Sequence, residues 1–286
     1  MGRVRVVTDS TADLSADIAR SLDIIVVPLR VVLGQEEYLD GVTLSAEEFM
    51  ARARLSPQEF AATLPPPVET FESVYAGLAK TTDSIVSLHL SSRLGTTYDN
   101  AVEAKERYTI RDICRVTVID TRLTSLGLGF IAMEAARAAQ AGQPLDDVAR
   151  LARGMLPQTH VLFFVDTVEY LQRSGRIARL ETLVSSLINT KPLLRLDDGQ
   201  IMLMEKVRTR AKALERLFEF VADFPHVEAL GIVYGAALNE ANNLAKRLEN
   251  CVPHEKVMIT RYGPGLAAHL GPGALGVIVY EGLDVR

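Results

Sequence analysis

The sequence predicts an α/β protein made of two α/β domains, the first with a mostly parallel sheet flanked by helices. Strand and helix patterns alternate through residues 1–156, which is typical of a parallel sheet covered on both faces. A second series of such patterns starts at His160 and includes a hairpin with an Asp198-Gly199 turn. At 286 residues the chain is also long for a single core. We therefore predict domains at 1–156 and 157–286.

The chain begins with a predicted strand over residues 3–8. A helix over 16–22 is expected next, with Ser10 or Thr11 as its N-cap, because a hydroxyl oxygen accepts hydrogen bonds from free N–H groups at a helix start. Asp13 carries a negative charge that favours the positive end of this helix.

The next elements are set by proline and by capping residues. Pro28 interrupts the apolar run 24–33, so we expect an edge or a bend there, followed by a hairpin arm over 35–40. The capping box Ser45–Glu48 opens a helix. The proline-rich stretch 63–67 predicts an extended segment, whose simplest role is that of a linker. Periodicity assigns the rest of this half: helices over 68–80, 98–105, 126–142 and 146–156, and strands over 84–90 and 116–120.

The second half repeats this alternation, beginning with a strand over 160–165 and a helix that ends at Gly175, a good residue to follow a helix. The remaining predicted elements are a further helix reaching about 188, hairpin strands over 192–196 and 200–205, helices over 209–221 and 239–251, strands over 226–233 and 255–259, a short helix over 266–270, a glycine-rich corner over 271–276 and a last strand over 277–280.

A hydroxyl-rich turn follows the strand at 84–90. It contains Ser91, Ser92, Thr96 and Thr97 around Gly95, and a helix comes directly after it. Strand, turn and helix in this order are typical of a ligand site at the carboxyl edge of an α/β sheet, and free N–H groups at a helix start suit an anionic head group. Ordinary helix capping by Ser and Thr explains the same pattern equally well.

Composition excludes several classes of function. The net charge is −5 with scattered Lys and Arg, which argues against nucleic acid or an anionic membrane surface as partner. Stable membrane insertion is not expected, because no apolar run reaches about 18 residues. The five histidines show no metal-ligand spacing, and Cys114 and Cys251 are expected to be reduced thiols. With no signal-peptide pattern before the first strand, we expect a cytoplasmic protein without a metal.

The pattern Gly127-x-Gly129-x-x-Ala132 matches a dinucleotide fingerprint in form. Its glycines lie several residues beyond the preceding strand, so close packing of a helix is the favoured interpretation. A nucleotide- or dinucleotide-dependent enzyme using this turn stays open as an alternative, as does a sensor that responds to a bound lipid. The sequence shows neither a Gly-x-Ser-x-Gly elbow nor a Walker A loop.

Two cationic residues stand beside glycines. Arg176 directly follows Gly175, and His269 precedes the corner that starts with Gly271, where backbone can approach a ligand closely. Either residue also has a purely structural interpretation: Arg176 as a charge at a helix end, and His269 as a hydrogen-bonded histidine between domains.

Several separated motifs, taken in order along the chain, resemble the DegV family of bacterial fatty-acid-binding proteins. They are Val7–Thr11, Asp40-Gly41, Ser91-Ser92-x-Leu94 with Thr97-Tyr98 and Ala101, Asp120 with Ser125 and Gly127, Leu171-x-x-x-Gly175-Arg176-Ile177, Lys191-Pro192-Leu193, Asp198-Gly199, Lys206-x-Arg208-Thr209-x-x-Lys212 and Gly271–Gly276.

The resemblance implies that a long-chain fatty acid, of palmitate, stearate or oleate type, is buried between the two domains, with no other cofactor. The N-terminal domain would carry the head-group turn and the C-terminal domain would close the acyl cavity. A separate ATP-dependent fatty acid kinase subunit would convert the presented acid to acyl-phosphate, so the chain itself would not be an enzyme. The residues implied are Thr63, Ser91, Ser92, Gly95 and Thr96 for the carboxylate, and Arg176 and His269 near the head group for phosphoryl transfer.

Two stretches depart from the family pattern. The segment 63–67 keeps the first threonine and the fourth-position proline of a Thr-Ser-Gln-Pro-Ser motif but lacks the other three residues. Gly95 stands where the family has a ligand-facing serine, and Thr96 stands where it has glycine. We therefore expect the carboxylate to be held by Thr63 and by the Ser92–Thr96 turn.

Overall fold

A computed structural model describes residues 3–55, 61–107, 114–175 and 189–283. Its strands are β1 (Arg5–Asp9), β2 (Ile24–Val27), β3 (Arg30–Leu33), β4 (Glu36–Leu39), β5 (Ala61–Leu64), β6 (Ser84–His89), β7 (Arg115–Asp120), β8 (Thr159–Phe164), β9 (Lys191–Asp197), β10 (Gln200–Val207), β11 (Ala229–Tyr234), β12 (Val257–Arg261) and β13 (Leu275–Tyr280). Its helices are α1 (Ala16–Ser21), α2 (Ala46–Leu55), α3 (Val68–Leu78), α4 (Thr97–Arg107), α5 (Leu126–Gln140), α6 (Leu145–Met155), α7 (Glu169–Arg173), α8 (Arg210–Ala222), α9 (Leu238–Leu248) and α10 (Pro264–Leu270).

The first sheet is parallel, with strand order β2-β1-β6-β7. Its strands are apolar on both faces because helices cover both. Val7 and Ile85 pack with Phe71 of α3 on one face. Val6 and Val86 point to the other face, which is covered by α5 and α6. This is the parallel sheet flanked by helices that the sequence predicts.

The N-cap predicted for α1 was wrong. Ser15 caps the helix by accepting a hydrogen bond from the Ile18 N–H, while Ser10 and Thr11 lie in a separate 3-10 turn. Asp13 has a positive φ of 51° and lies outside the first turn of α1. A hydroxyl four or five residues too early is an easy error, because Ser and Thr cap turns and helices with the same chemistry.

Pro28 separates two strands that belong to different sheets, as its position predicts. Strand β2 completes the parallel sheet, whereas β3 is the middle of a small antiparallel sheet with order β4-β3-β5. The segment beginning at Thr63 is more than a linker, since Thr63 lies in β5 and pairs with Val31 of β3.

The third sheet has six strands in the order β10-β9-β8-β13-β11-β12, antiparallel except for β11 with β12. The last strand, β13, lies in its middle, between β8 and β11. Alternate side chains of β8 face opposite ways: Leu162 and Phe164 pack with α8 and α9, while Val161 and Phe163 face α5. The hairpin turn is confirmed, with φ of 47° at Asp198 and 78° at Gly199.

Helices α5 and α10 lie where the sheets meet. Helix α5 contacts both the parallel sheet and the six-stranded sheet, and α10 contacts α2 and the small sheet. Glycine permits this closeness at two points. A Cβ on Gly129 would lie 2.7 Å from the Ala12 carbonyl oxygen, and one on Gly231 would lie 2.9 Å from the Leu126 side chain. The close-packing interpretation of Gly129 is therefore confirmed.

Within the described ranges, no helix combines the length and apolarity needed to cross a membrane.

Candidate functional site

A cavity of about 250 Å³ lies between the carboxyl edge of the parallel sheet and the inner face of the six-stranded sheet. The turns after β1, β6 and β7 form one wall, β8, β11 and β13 form another, and β5 and α10 close it. The lining is mostly aliphatic and aromatic, and none of the described side chains in it is Asp, Glu, Lys or Arg. The apolar part consists of Leu29, Pro65, Leu90, Leu94, Val161, Phe163, Leu171, Leu196, Ile201, Val233, Leu266, Leu270 and Ile278.

Thr63 and His269 meet on this wall although 206 positions separate them. Thr63 Oγ1 and His269 Nε2 are 2.7 Å apart, a hydrogen bond whose donor depends on the histidine tautomer. Strand β5 positions the threonine and the last turn of α10 positions the histidine. Together they place a hydroxyl and an imidazole on the wall of a mainly apolar cavity, an arrangement suited to an amphipathic molecule with one polar end.

Gly95 and Thr96 also line the cavity, in the turn between β6 and α4. Helix α4 follows this turn directly. Its residue Asn100 binds the segment after Thr63, because Asn100 Nδ2 donates to the Pro66 carbonyl at 2.8 Å. The site residues of β5 and of the turn are thus brought to one end of the cavity by a hydrogen bond between their flanking segments.

Ser91 and Ser92 are not part of the cavity lining. Ser91 Oγ donates to the Gly199 carbonyl at 2.8 Å, which joins the turn to the hairpin of the six-stranded sheet. Ser92 Oγ donates to Asp120 Oδ2 at 2.6 Å and its N–H donates to Oδ1 of the same carboxylate. Both hydroxyls already have partners that shape the turn, so their contact with a ligand stays a prediction.

Arg176 lies outside the described residues. The preceding Gly175 has a φ of 68°, a conformation that glycine adopts without a steric cost, and it follows α7. Leu171 of the same helix lines the cavity. The predicted role of Arg176 near the head group therefore remains a prediction.

Two buried aspartates hold the beginning of α10, the helix that carries His269. Asp13 Oδ1 accepts the Gly263 N–H at 2.8 Å, and its Oδ2 accepts the Ser125 hydroxyl at 2.5 Å. Asp40 accepts the Ser10 hydroxyl at 2.7 Å and is bonded to the backbone of Gly265. Burial raises the pKa of Asp13 to about 8, and burial likewise raises the pKa of Asp40.

A hydrogen-bonded Asp–His–Ser chain lies inside the parallel sheet. Asp9 Oδ2 is 3.0 Å from His89 Nδ1, and His89 Nε2 is 2.7 Å from Ser87 Oγ. Tyr75 closes the chain by donating to Ser87 Oγ at 2.9 Å. The Ser87 and His89 side chains are fully buried at 0% exposure, so no substrate reaches this serine, and the chain braces β1 against β6.

Sequence reasoning missed Thr124 as a polar residue of the cavity. Thr124 lines it, in the loop between β7 and α5, and its buried hydroxyl has no hydrogen-bond partner among the described residues. The sequence signal was available, because Thr124 lies at the carboxyl edge of the strand next to β6, where polar residues at strand ends converge. The family motif drew attention to Ser125, whose hydroxyl is committed to Asp13.

The described part of the chain contains no cluster of His, Cys, Asp and Glu arranged to hold a metal ion.

The fold and the cavity define an α/β protein with a mainly apolar cavity whose wall also carries several hydroxyls and one imidazole. A family model described as "Uncharacterised protein, DegV family" matches residues 3–282. A DegV domain-containing protein of Streptomyces coelicolor is 39% identical over 280 residues, which span 96% of this chain and 98% of that protein. The chain belongs to the DegV family.

Solved structures of this family share the fold. A DegV family protein from Thermus thermophilus, described as fatty acid binding, matches with a TM-score of 0.89 and 31% identity over 98% of this chain and 99% of its own. DegV from Bacillus subtilis, described as a fatty acid binding protein, matches with a TM-score of 0.90 and 29% identity over 98% of this chain and 100% of its own.

Proposed function

We propose that this protein binds a long-chain fatty acid, of palmitate, stearate or oleate type, in the cavity between its two larger sheets. The observation that carries this proposal is the Thr63–His269 pair, hydrogen bonded at 2.7 Å on the wall of a mainly apolar cavity. The fatty acid binding described for the relatives from Thermus thermophilus and Bacillus subtilis supports it.

The cavity suits such a ligand energetically. Each methylene of the acyl chain contributes about 0.8 kcal/mol when it leaves water for an apolar wall. The carboxylate loses its hydration and needs hydrogen-bond donors in return. Thr63, Thr96 and the backbone N–H groups that follow Gly95 at the start of α4 supply them in this proposal, while Ser91 and Ser92 shape the turn that presents these groups.

The second part of the proposal concerns what happens to the bound acid. The chain presents the carboxylate to a separate ATP-dependent fatty acid kinase subunit, which forms the acyl-phosphate, and has no catalytic activity of its own. His269 lies at the polar end of the cavity. Together with Arg176 it assists phosphoryl transfer at the mouth of the site. In this scheme the protein acts in the cytoplasm, and residues 1–156 and 157–286 are its two domains.

Ligand retention is the direct test. Protein purified from a bacterial host should release about one long-chain fatty acid per chain on denaturing extraction, measured by mass spectrometry; one cavity holds one acyl chain. Ile201→Trp should abolish retention because Ile201 lines the cavity. Met204→Trp is the matched control, since Met204 belongs to the same strand but is 53% exposed. Lipid-free wild-type protein that also fails to bind added palmitate or oleate would overturn the proposal.

Kinase coupling tests the second part. With ATP and a fatty acid kinase subunit, the oleate-loaded protein should yield acyl-phosphate, and alone it should not hydrolyse ATP. Arg176→Ala and His269→Ala should keep oleate bound but slow the coupled reaction, whereas His254→Ala, at an exposed histidine, should not. Wild-type coupled rates in both site variants would contradict the assigned roles. ATP turnover by the isolated chain, lost on substitution of Gly127, would favour a nucleotide-dependent enzyme instead.

A further inference from the structure

Two buried hydroxyls, those of Thr8 and Thr124, have no hydrogen-bond partner among the described residues. A buried hydroxyl without a partner costs free energy, and such groups are rare in folded proteins. Thr8 lies within β1 and is not part of the cavity wall, whereas Thr124 lines the cavity. Thr124 therefore contributes to the cavity wall with a buried, unpartnered hydroxyl, whereas Thr8 has no part in that wall.

The backbone around Thr124 is held on both sides. The Thr124 carbonyl accepts the Gly127 N–H at 3.1 Å, and the Ser125 N–H donates to the Thr11 carbonyl at 2.6 Å. Ser125 has a φ of 52°, a conformation that non-glycine residues rarely adopt, and its hydroxyl bond to Asp13 helps to keep it there. A strained residue held in this way places the preceding threonine at a defined point of the wall.

The segment of Thr124 is joined to the proposed head-group turn by a backbone hydrogen bond. The Ser91 N–H donates to the Leu123 carbonyl at 3.0 Å, which sets Thr124 beside the turn that contains Gly95 and Thr96. Gly95 offers no side-chain donor, and Thr63 has only one hydroxyl hydrogen to give. A carboxylate accepts several hydrogen bonds through its two oxygens, so it can accept one from a further hydroxyl such as that of Thr124.

We propose that the Thr124 hydroxyl donates a hydrogen bond to the carboxylate of the bound fatty acid and is a further determinant of its affinity. This inference rests on the proposed function, because it assigns a contact within the same site. The Thr124 hydrogen bond favours an ionised head group over a neutral one, since a hydrogen bond to a charged acceptor is stronger than one to a neutral acceptor.

The test compares head groups and hydroxyls in the delipidated full-length protein, by displacement of a fluorescent fatty acid. Thr124→Val, which keeps the shape and removes the hydroxyl, should weaken oleate binding by about tenfold. Thr124→Ser should stay within about twofold of wild type, and Thr124→Val should change oleyl alcohol binding by less than about threefold, because the alcohol carries no charge. Thr8→Val is the matched control and should leave both ligands unaffected.

Oleate binding to Thr124→Val within about twofold of wild type would overturn the inference, and so would an equal loss for oleyl alcohol or in Thr8→Val. If Thr124→Val fails to fold, Thr124→Ala removes the same hydroxyl and the oleate-to-oleyl-alcohol comparison still decides. Wild-type protein that binds no fatty acid would overturn the proposed function itself. Normal oleate binding that is unchanged in Thr124→Val would overturn only the role of Thr124.

Discussion

Two groups of hydroxyls lie in and around the cavity, and they differ in their hydrogen-bond partners. The first group is bonded to aspartates at 2.5–2.7 Å: Ser10 to Asp40, Thr11 to Asp9, Ser92 to Asp120 and Ser125 to Asp13. The second group consists of Thr63, bonded to His269, and Thr124, without a partner among the described residues. The first group fastens turns and helix α10, and the second faces the cavity with hydroxyls that a ligand can use.

A polar residue on a cavity wall is a ligand candidate only if its hydrogen-bonding groups do not already have partners within the fold. Thr11 and Ser125 line the cavity just as Thr63 does, yet each of their hydroxyl hydrogens goes to a carboxyl group. Such a hydrogen bond to a carboxyl group would have to be given up before the hydroxyl could serve a ligand, and each unmet bond of a buried group costs about 1–3 kcal/mol. The Thr63 hydroxyl keeps its hydrogen for a ligand in the tautomer in which His269 Nε2–H donates to Thr63 Oγ1.

The largest expected effect comes from breaking the first group at Asp13. Asp13→Ala leaves the Ser125 hydroxyl and the Gly263 N–H without their acceptor, and each unsatisfied buried group costs about 1–3 kcal/mol. We expect the free energy of unfolding to fall by about 2–4 kcal/mol, measured by urea denaturation. Asp17→Ala is the control, since Asp17 is 90% exposed in its pair with Arg20 and should leave stability almost unchanged. Equal stability of the two variants would show that Asp13 does not anchor the beginning of α10.

The same anchor predicts a pH dependence of stability. The pKa of Asp13 is about 8 in the folded protein against an ordinary 3.8, so between these values the folded state keeps a proton that the unfolded chain releases. Stability from this group is therefore full below about pH 4 and is lost as the pH rises to about 8, by at most about 1.4 kcal/mol per pH unit. Asp40 and Asp9, whose charges also raise this pKa, face the same carboxyl. Asp13→Asn should flatten the slope in thermal melts; an unchanged slope would show that other groups cause it.

Substitutions of Thr63 and Ser92 test the difference between the two groups of hydroxyls most directly. Thr63→Val should weaken oleate binding by about tenfold, the effect of losing one charge-assisted bond of about 1.4 kcal/mol, with little change in stability. Ser92→Ala should do the reverse, lowering stability by about 1 kcal/mol because Asp120 loses a donor, with oleate affinity within about threefold. Displacement titrations and urea melts on both variants decide, and a larger affinity loss in Ser92→Ala than in Thr63→Val would reverse the assignment.

The smallest effect is expected at Gly95. A Cβ there would lie 3.2 Å from Leu90 Cδ2, the flexible end of a side chain, so Gly95→Ser should be accommodated. The new hydroxyl adds a donor at the head-group end, and oleate affinity should be unchanged or up to about threefold tighter. Gly95→Ala, which adds the same Cβ without the hydroxyl, is the control. A loss of affinity in the serine variant but not in the alanine variant would place the carboxylate away from this turn.

Periodicity, proline and turn residues predicted most of the fold. The alternation of apolar runs identified the parallel sheet, Pro28 marked the change of sheet, and Asp198-Gly199 marked the hairpin. These features are local, because backbone conformation depends mainly on a residue and its near neighbours. The cap of α1 was the exception, since several hydroxyls compete for one helix start and only packing selects Ser15.

The sequence by itself determined the α/β fold class, membership of the DegV family and which residues were candidates for a site. Only the tertiary structure decided which of those candidates meet. It joined Thr63 to His269 across 206 positions, turned the hydroxyls of Ser91 and Ser92 away to Gly199 and Asp120, and brought Thr124 to the cavity wall. The physical reason is that a hydroxyl has one hydrogen to donate, and which acceptor receives it depends on contacts between segments far apart in the chain.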